Sequence, residues 1–354
     1  MYSRIGITLV SVFLLVTTLS AQDNGKVDYS GNLRLAYVSS TDDAINHFEG
    51  TTFLRIRLGA FYTFNANNGF KARLATTQSS KLPKPKFTVL ADGGGLNRGS
   101  ISFDEFYYQF QNDVTQIKAG RFRYYPKILS NAERSHFRFM SNNVNVHWLD
   151  GVYIKRDLNE EWFTELVGEY QPRNQTSVPY RGNLNFGNNE HNFASYLGVD
   201  NRTRDKNNII QKGFGLFVAP DAYLKSGSYS TYLAVMSRMV YDLPRPDILK
   251  GGSFRIAAEV GQNLNSPFEN GTNAVISFGV NGFAEKHRLM AEFAKTDAEW
   301  LTPNVYVPNA DELEFRYHFI MSDNMKIEAR YRIRDYRTNR ATNYNFFARF
   351  TYSF

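Results

Sequence analysis

Apolar and polar positions alternate with a period of two through most of the chain. In the closing stretch NYNFFARFTYSF, Phe346, Ala348, Phe350, Tyr352 and Phe354 fall on one face, with Arg349, Thr351 and Ser353 between them. ELEFRYHFI sets Leu313, Phe315, Tyr317 and Phe319 against Glu314, Arg316 and His318. After the polar turn SDN, MKIEARYRIR sets Met325, Ile327, Ala329, Tyr331 and Ile333 against Lys326, Glu328, Arg330, Arg332 and Arg334. A period of two belongs to β-strands, whose successive side chains point to opposite faces. The same rhythm runs through FLRIRLGAFYTF, which turns at NANNG into FKARLAT, and through SFDEFYYQF, which turns at QNDV into TQIKAGRF. DGVYIKR turns at DLNE into EWFTELVGEY, and VISFGVNGF turns at AEK into HRLMAEFA. Each pair predicts an antiparallel hairpin. Longer polar segments separate them, near residues 39–50, 78–99, 123–149, 172–189, 264–272, 297–309 and 335–342.

The pattern predicts about 16 strands, since each tilted spanning strand takes about 10 residues. The least regular stretch, residues 190–227, is read as two strands near 191–199 and 211–219, because closed single-chain barrels take an even number. A terminal alternating strand with an open edge is an aggregation hazard, and a barrel that pairs its last strand with its first removes the edge. Composition then distinguishes water from lipid. The apolar faces of soluble sandwiches are rich in Val, Ile and Leu, whereas here 22 Tyr, 29 Phe and 3 Trp bring aromatics to 15%. The mean hydropathy is −0.43, and charges interrupt every later apolar run, so no spanning helix is predicted there. The fold class expected is all-β, a transmembrane antiparallel barrel with short turns at one end and long loops at the other.

The N-terminal MYSRIGITLVSVFLLVTTLSA reads as a secretory signal: Arg4, then the mainly apolar Ile5–Leu19 stretch, then small residues at Thr18, Ser20 and Ala21. Residues 1–21 are assigned to it and 22–354 to a single barrel domain. The absence of cysteine excludes a disulfide scaffold, Cys-ligated zinc and thiol catalysis. The six His are scattered without an HExxH or paired spacing, so neither a metal nor a cofactor is expected. His136, Ser141 and Asn142 stand close in sequence but at no hydrolase spacing, and no enzyme is read from them. The net charge of +7 comes with no Lys/Arg run, so nucleic acid is not expected as a partner.

Three features resemble the porins of Gram-negative outer membranes. FFARFTYSF resembles the C-terminal aromatic signal read by the outer-membrane assembly machinery, with Phe350, Tyr352 and Phe354 in register. DEFYYQFQNDVTQIKAGRF resembles the porin hairpin whose second strand ends in Gly-Arg, here Gly120-Arg121. Tandem hairpins with alternate long loops cover most of the chain. The resemblance implies an outer-membrane location among lipid and lipopolysaccharide, a homotrimer, and passive diffusion of small hydrophilic solutes. It also implies a third long loop folded into the barrel as a constriction. Here that loop carries Arg123, Lys127, Glu133, Arg134 and Arg138.

Placing the large apolar groups outward leaves the alternate residues facing the lumen. A basic wall is expected from Arg34, Arg55, Arg57, Lys71, Arg73, Arg316, Lys326, Arg330, Arg332, Arg334 and Arg349, gathered where the last strand meets the first. Lys118, Lys155, Arg238, Arg255 and Arg288 are also read as inward. The inward acids expected are Asp28, Glu105, Glu165, Glu169, Glu259, Glu292, Glu314 and Glu328, with Glu165 and Glu169 on a distant wall. Confined positive charge favours anions. Two alternatives stand beside an anion-preferring diffusion channel. One is a surface barrel for adhesion or structure. The other is a solute-specific pore in which Phe61, Tyr107, Tyr153 and Tyr232 stack on sugars.

Overall fold

The computed structural model describes residues 26–42, 47–80, 86–87, 95–96, 100–124, 126, 128–129, 146–172, 191–223, 229–243, 252–300, 307–338 and 341–354. The expected signal at 1–21, the loop residues Lys127, Glu133, Arg134 and Arg138, and the His136, Ser141 and Asn142 set lie outside the described residues.

Sixteen strands close into one antiparallel barrel. They are β1 Lys26–Asp42, β2 His47–Asn65, β3 Asn68–Ser79, β4 Ser100–Gln111, β5 Thr115–Phe122, β6 Leu149–Asp157, β7 Trp162–Pro172 and β8 His191–Asn201. Then follow β9 Ile209–Tyr223, β10 Tyr229–Leu243, β11 Ser253–Asn263, β12 Thr272–Phe283, β13 His287–Thr296, β14 Ala310–Ile320, β15 Met325–Tyr336 and β16 Thr342–Ser353. The two strands read from the irregular stretch 190–227 are β8 and β9. Each strand pairs with its sequence neighbours, and β16 pairs with β1 from Asn32 opposite Ser353 to Asp42 opposite Asn343. The last residue completes this seam: Gly31 and Phe354 exchange backbone hydrogen bonds of 2.9 and 3.1 Å. The Phe354 ring lies over Gly31, where a Cβ would stand 2.4 Å from it.

The strands form because their alternation satisfies two media at once. Leu33, Leu35 and Tyr37 of β1, Leu197 of β8 and Phe315 of β14 are exposed on the outer surface. Their neighbours Tyr196, Glu314 and Arg316 are buried on the inner one. Apolar groups outside and charges inside reverse the order of a soluble barrel and match a barrel that crosses a bilayer. No helix among the described residues is long and apolar enough to cross. The helix α1, Phe268–Gly271, is one turn in the β11–β12 loop.

Two details depart from strict alternation. β1 runs to Asp42 and β2 starts at His47, so both strands extend into the loop expected at 39–50. In β4, Arg73 of β3 stands opposite Glu105 and Leu74 opposite Phe103, so Asp104 is an extra residue in a β-bulge. Asp104 and Glu105 therefore both turn inward, at 0% and 8% exposure.

Candidate solute pathway

The inner surface has two unlike regions. The first spans β14, β15, β16, β1, β2 and β3. Arg34 and Arg55 are direct partners across the β1–β2 ladder, and Arg57 follows two residues along β2. Like charges placed directly opposite are destabilising unless compensated, and the bulge supplies compensation nearby. Asp104 receives Arg57 at 2.7 Å and both ends of the Arg73 fork at 2.9 and 2.8 Å. Glu105 receives Arg73 at 2.8 Å and Arg123 at 3.1 Å. Lys71 donates to Ser30 at 2.9 Å.

Across the seam the acids sit one to a rung. Glu314 receives Arg316, Arg332 at 2.8 Å and Arg330 at 3.6 Å. Glu312 receives Arg334 at 3.1 Å and Arg332 at 3.4 Å. Glu328 receives Arg349 and lies 3.3 Å from His318. Arg330 and Arg349 also flank the buried Phe347 ring, 4.6 and 5.6 Å from its centre. Lys326 is exposed near the turn end of β15. Seven of the eleven cations expected on this wall, Arg55, Arg57, Arg73, Arg316, Arg330, Arg332 and Arg349, are buried, and Arg34, Lys71, Lys326 and Arg334 share their face by register. Five buried acids, Asp104, Glu105, Glu312, Glu314 and Glu328, stand among them, and Glu292 of β13 lies at the edge of the wall opposite Glu314. Arg349 is opposite Ala36 rather than Arg34, which faces Thr351, so the two arginines are diagonal neighbours.

The second region, β4 to β11, is packed by the chain that leaves β5. Tyr124 donates to Glu165 at 3.0 Å, and Tyr153 donates to the other oxygen at 2.8 Å. Burial, and then the adjacent carboxylate, push the Tyr124 phenol well above its usual range, so it stays a donor. Ile128 is buried among Ile210, Val240 and Ala257. The Leu129 N–H donates to Gln211 at 2.6 Å, and its carbonyl accepts from Arg255 at 3.1 Å. These contacts hold Tyr124, Ile128 and Leu129 against the inner faces of β7, β9, β10 and β11. Beneath them, Asp200 holds Arg238 at 2.8 and 2.6 Å, and Asp242 holds Arg255 at 3.4 Å.

This packing changes several expected roles. Glu165, expected to face an open lumen, is capped by two phenols. Tyr107, Tyr153 and Tyr232, expected to present stacking faces, are buried with Phe122, Tyr196 and Phe217 in one aromatic cluster. Lys118 lies over the rings of Tyr107 and Tyr153, 5.3 and 5.6 Å from their centres. Arg121 of the Gly-Arg pair forks onto Asp150 at 2.8 and 2.9 Å and stacks on Trp148. Sequence reading missed the inward acids Asp104, Asp200, Asp242 and Glu312. For Asp104 the signal was the adjacent acidic pair inside an alternating run, which marks a bulge. Asp200 and Asp242 sit near strand ends, where the period has little left to test it, whereas Glu312 opens the run ELEFRYHFI in phase with Glu314 and Arg316, so its inward face was there to be read.

No protein-family model and no curated protein sequence matches the chain. Solved structures do. OprB of Pseudomonas putida superposes with a TM-score of 0.63 at 9% identity, over 93% of this chain and 94% of that one. OmpF of Salmonella typhi gives 0.59 at 11% identity, over 93% and 98%. The Rhodopseudomonas blastica porin, in a mutant form, gives 0.55 at 10% identity, over 92% and 100%. The likeness covers nearly the whole of each chain, and the fold of this protein is that of the outer-membrane porins.

Proposed function

We propose that the protein is an outer-membrane porin that lets small hydrophilic solutes diffuse through a water-filled lumen and favours anions. One observation carries the anion preference: around the seam the eleven inward cations, seven of them buried, outnumber the five buried acids among them. The acids cancel part of the charge and fix the arginines in place, and the remainder biases ion entry. On the opposite wall Tyr124, Ile128 and Leu129 pack inward, which directs passage along the arginines. Residues 1–21 serve as the export signal, and the outer surface meets lipid and lipopolysaccharide. Phe350, Tyr352 and Phe354 serve recognition by the assembly machinery, and the barrels associate as homotrimers. No catalytic role is proposed.

The test is conductance of the purified protein in a planar bilayer. Stepwise, ohmic current increments on insertion are expected. A folded barrel that inserts without current would replace the channel by a surface role in adhesion or structure.

A further inference from the structure

Aromatic residues near the ends of an outer-membrane barrel ordinarily form girdles on its outer surface, level with the lipid headgroups. Trp300 does the opposite. It follows the long-loop end of β13, and its side chain is fully buried on the inner face of β11. Its seat is Gly261. That residue stands opposite Met236 of β10 and Asn273 of β12, both buried, so a side chain at 261 would point inward. A Cβ there would stand 2.3 Å from the indole. The backbone of Gly261 is not left-handed, so glycine is needed here for space and not for conformation. The indole belongs to the same buried aromatic cluster as Phe217 and Tyr232.

Hydrogen bonds to neighbouring elements hold the chain in this bend. Asp297 Oδ1 accepts from Arg337 Nη1 at 2.8 Å, and its Oδ2 accepts from the Thr272 N–H at 3.1 Å. The Glu299 N–H donates to the Asn270 carbonyl of α1 at 2.8 Å, and the Glu299 carbonyl accepts from Asn263 Nδ2 at 3.0 Å. Arg337 also forks onto Asp311 of β14 at 3.2 and 2.5 Å, so it ties together both ends of the loop that carries Trp300. Below the seat, on the same inner face, stand the buried Glu259 of β11 and Glu292 of β13, which borders the seam wall. Arg238, opposite Glu259, is already held by Asp200. This part of the inner face is therefore acidic where the seam wall is basic. We propose that Trp300 is a stopper that sets selectivity: it closes the long-loop mouth above β10 to β12, keeps ions away from the acids beneath it, and confines entry to the arginine wall. The inference rests on the channel reading and deepens it, because the anion preference then depends on a side chain that carries no charge.

Two variants test it in planar bilayers, beside a measurement that needs no current. Trp300→Ala removes the indole, and Gly261→Ala fills its seat. Neither changes a charge, and both should keep the wild-type circular dichroism. In each, single-channel conductance should rise and the chloride-to-potassium permeability ratio should fall about twofold, whereas Trp300→Phe keeps most of the wild-type ratio. The second measurement uses barrels grown with fluorotryptophan, in which the Trp300 signal is the one lost in Trp300→Phe. A water-soluble gadolinium chelate should leave that fluorine signal sharp in the wild type and broaden it in Gly261→Ala. Equal broadening in wild type and Gly261→Ala would overturn the proposal. So would an unchanged permeability ratio in both Trp300→Ala and Gly261→Ala, the result for a side chain that only fills space. A wild type without current contradicts the channel reading instead, and the fluorine signal then decides alone whether the indole closes the mouth.

Discussion

Asp104 sits between two arginines that need it. It is fully buried and neutralises Arg57 from β2 and Arg73 from β3, so it ties three adjacent strands together. Removing one member of a buried ion network leaves uncompensated charge, which costs about 3–5 kcal/mol. Asp104→Asn keeps the shape and removes the charge. The unheated folded form should therefore convert to the unfolded band at lower temperature on gels, and the barrels that do form should prefer anions more strongly. Arg34 and Arg55 give the converse case. They oppose each other directly across β1 and β2, and replacing both by Gln removes that repulsion. The pair variant should fold as well as wild type, within about 1 kcal/mol, while its chloride-to-potassium permeability ratio falls severalfold. A loss of folding without any change in selectivity would show that these arginines act structurally. At this scale the large cations were legible, because an Arg alternating with Phe or Tyr has one energetically acceptable face. Asp104 left only the acidic pair with Glu105 inside an alternating run as its signal, because a bulge moves a residue to the other face without changing the pattern on either side.

The period of two extends through each strand and stops at the loops, and this governed what could be read of the elements. The strands from β14 to β16 were predicted nearly residue for residue. That Tyr124, Ile128 and Leu129 turn inward was legible only through resemblance, since no local pattern says whether a loop folds inward. Their anchors come from strands far along the chain: Gln211 on β9, Arg255 on β11 and the Ile210, Val240 and Ala257 pocket. The two Leu129 hydrogen bonds contribute about 1 kcal/mol each. Gln211→Ala combined with Arg255→Ala should make detachment of Leu129 about thirtyfold more frequent. Single-channel records should then show larger open-state conductance and added current noise; an unchanged trace would mean that these residues do not limit flow. The terminal element makes a separate prediction. Phe354 pairs with Gly31 through the backbone and covers it with its ring. Deleting Phe354 should reduce folded protein in the outer membrane severalfold, while channels that do insert conduct normally. Normal insertion levels would remove Phe354 from any role in assembly.

The whole molecule separates its tasks by surface. The outer face is apolar and aromatic, the region of the inner face around the seam is arginine-rich, and the second region is packed by Tyr124, Ile128, Leu129 and an aromatic cluster. Closure joins these arrangements, because pairing β16 with β1 brings the cations of β14 to β16 beside those of β1 to β3. The central claim is that this assembled wall favours anions, and the reversal potential across a KCl gradient measures it most directly. Chloride should be the more permeant ion. Its advantage should grow as salt is lowered from about 1 M to about 0.1 M, where the screening length lengthens from about 3 Å to about 10 Å. A reversal potential of the sign that marks potassium preference, or no preference even at the lower salt, would contradict the account.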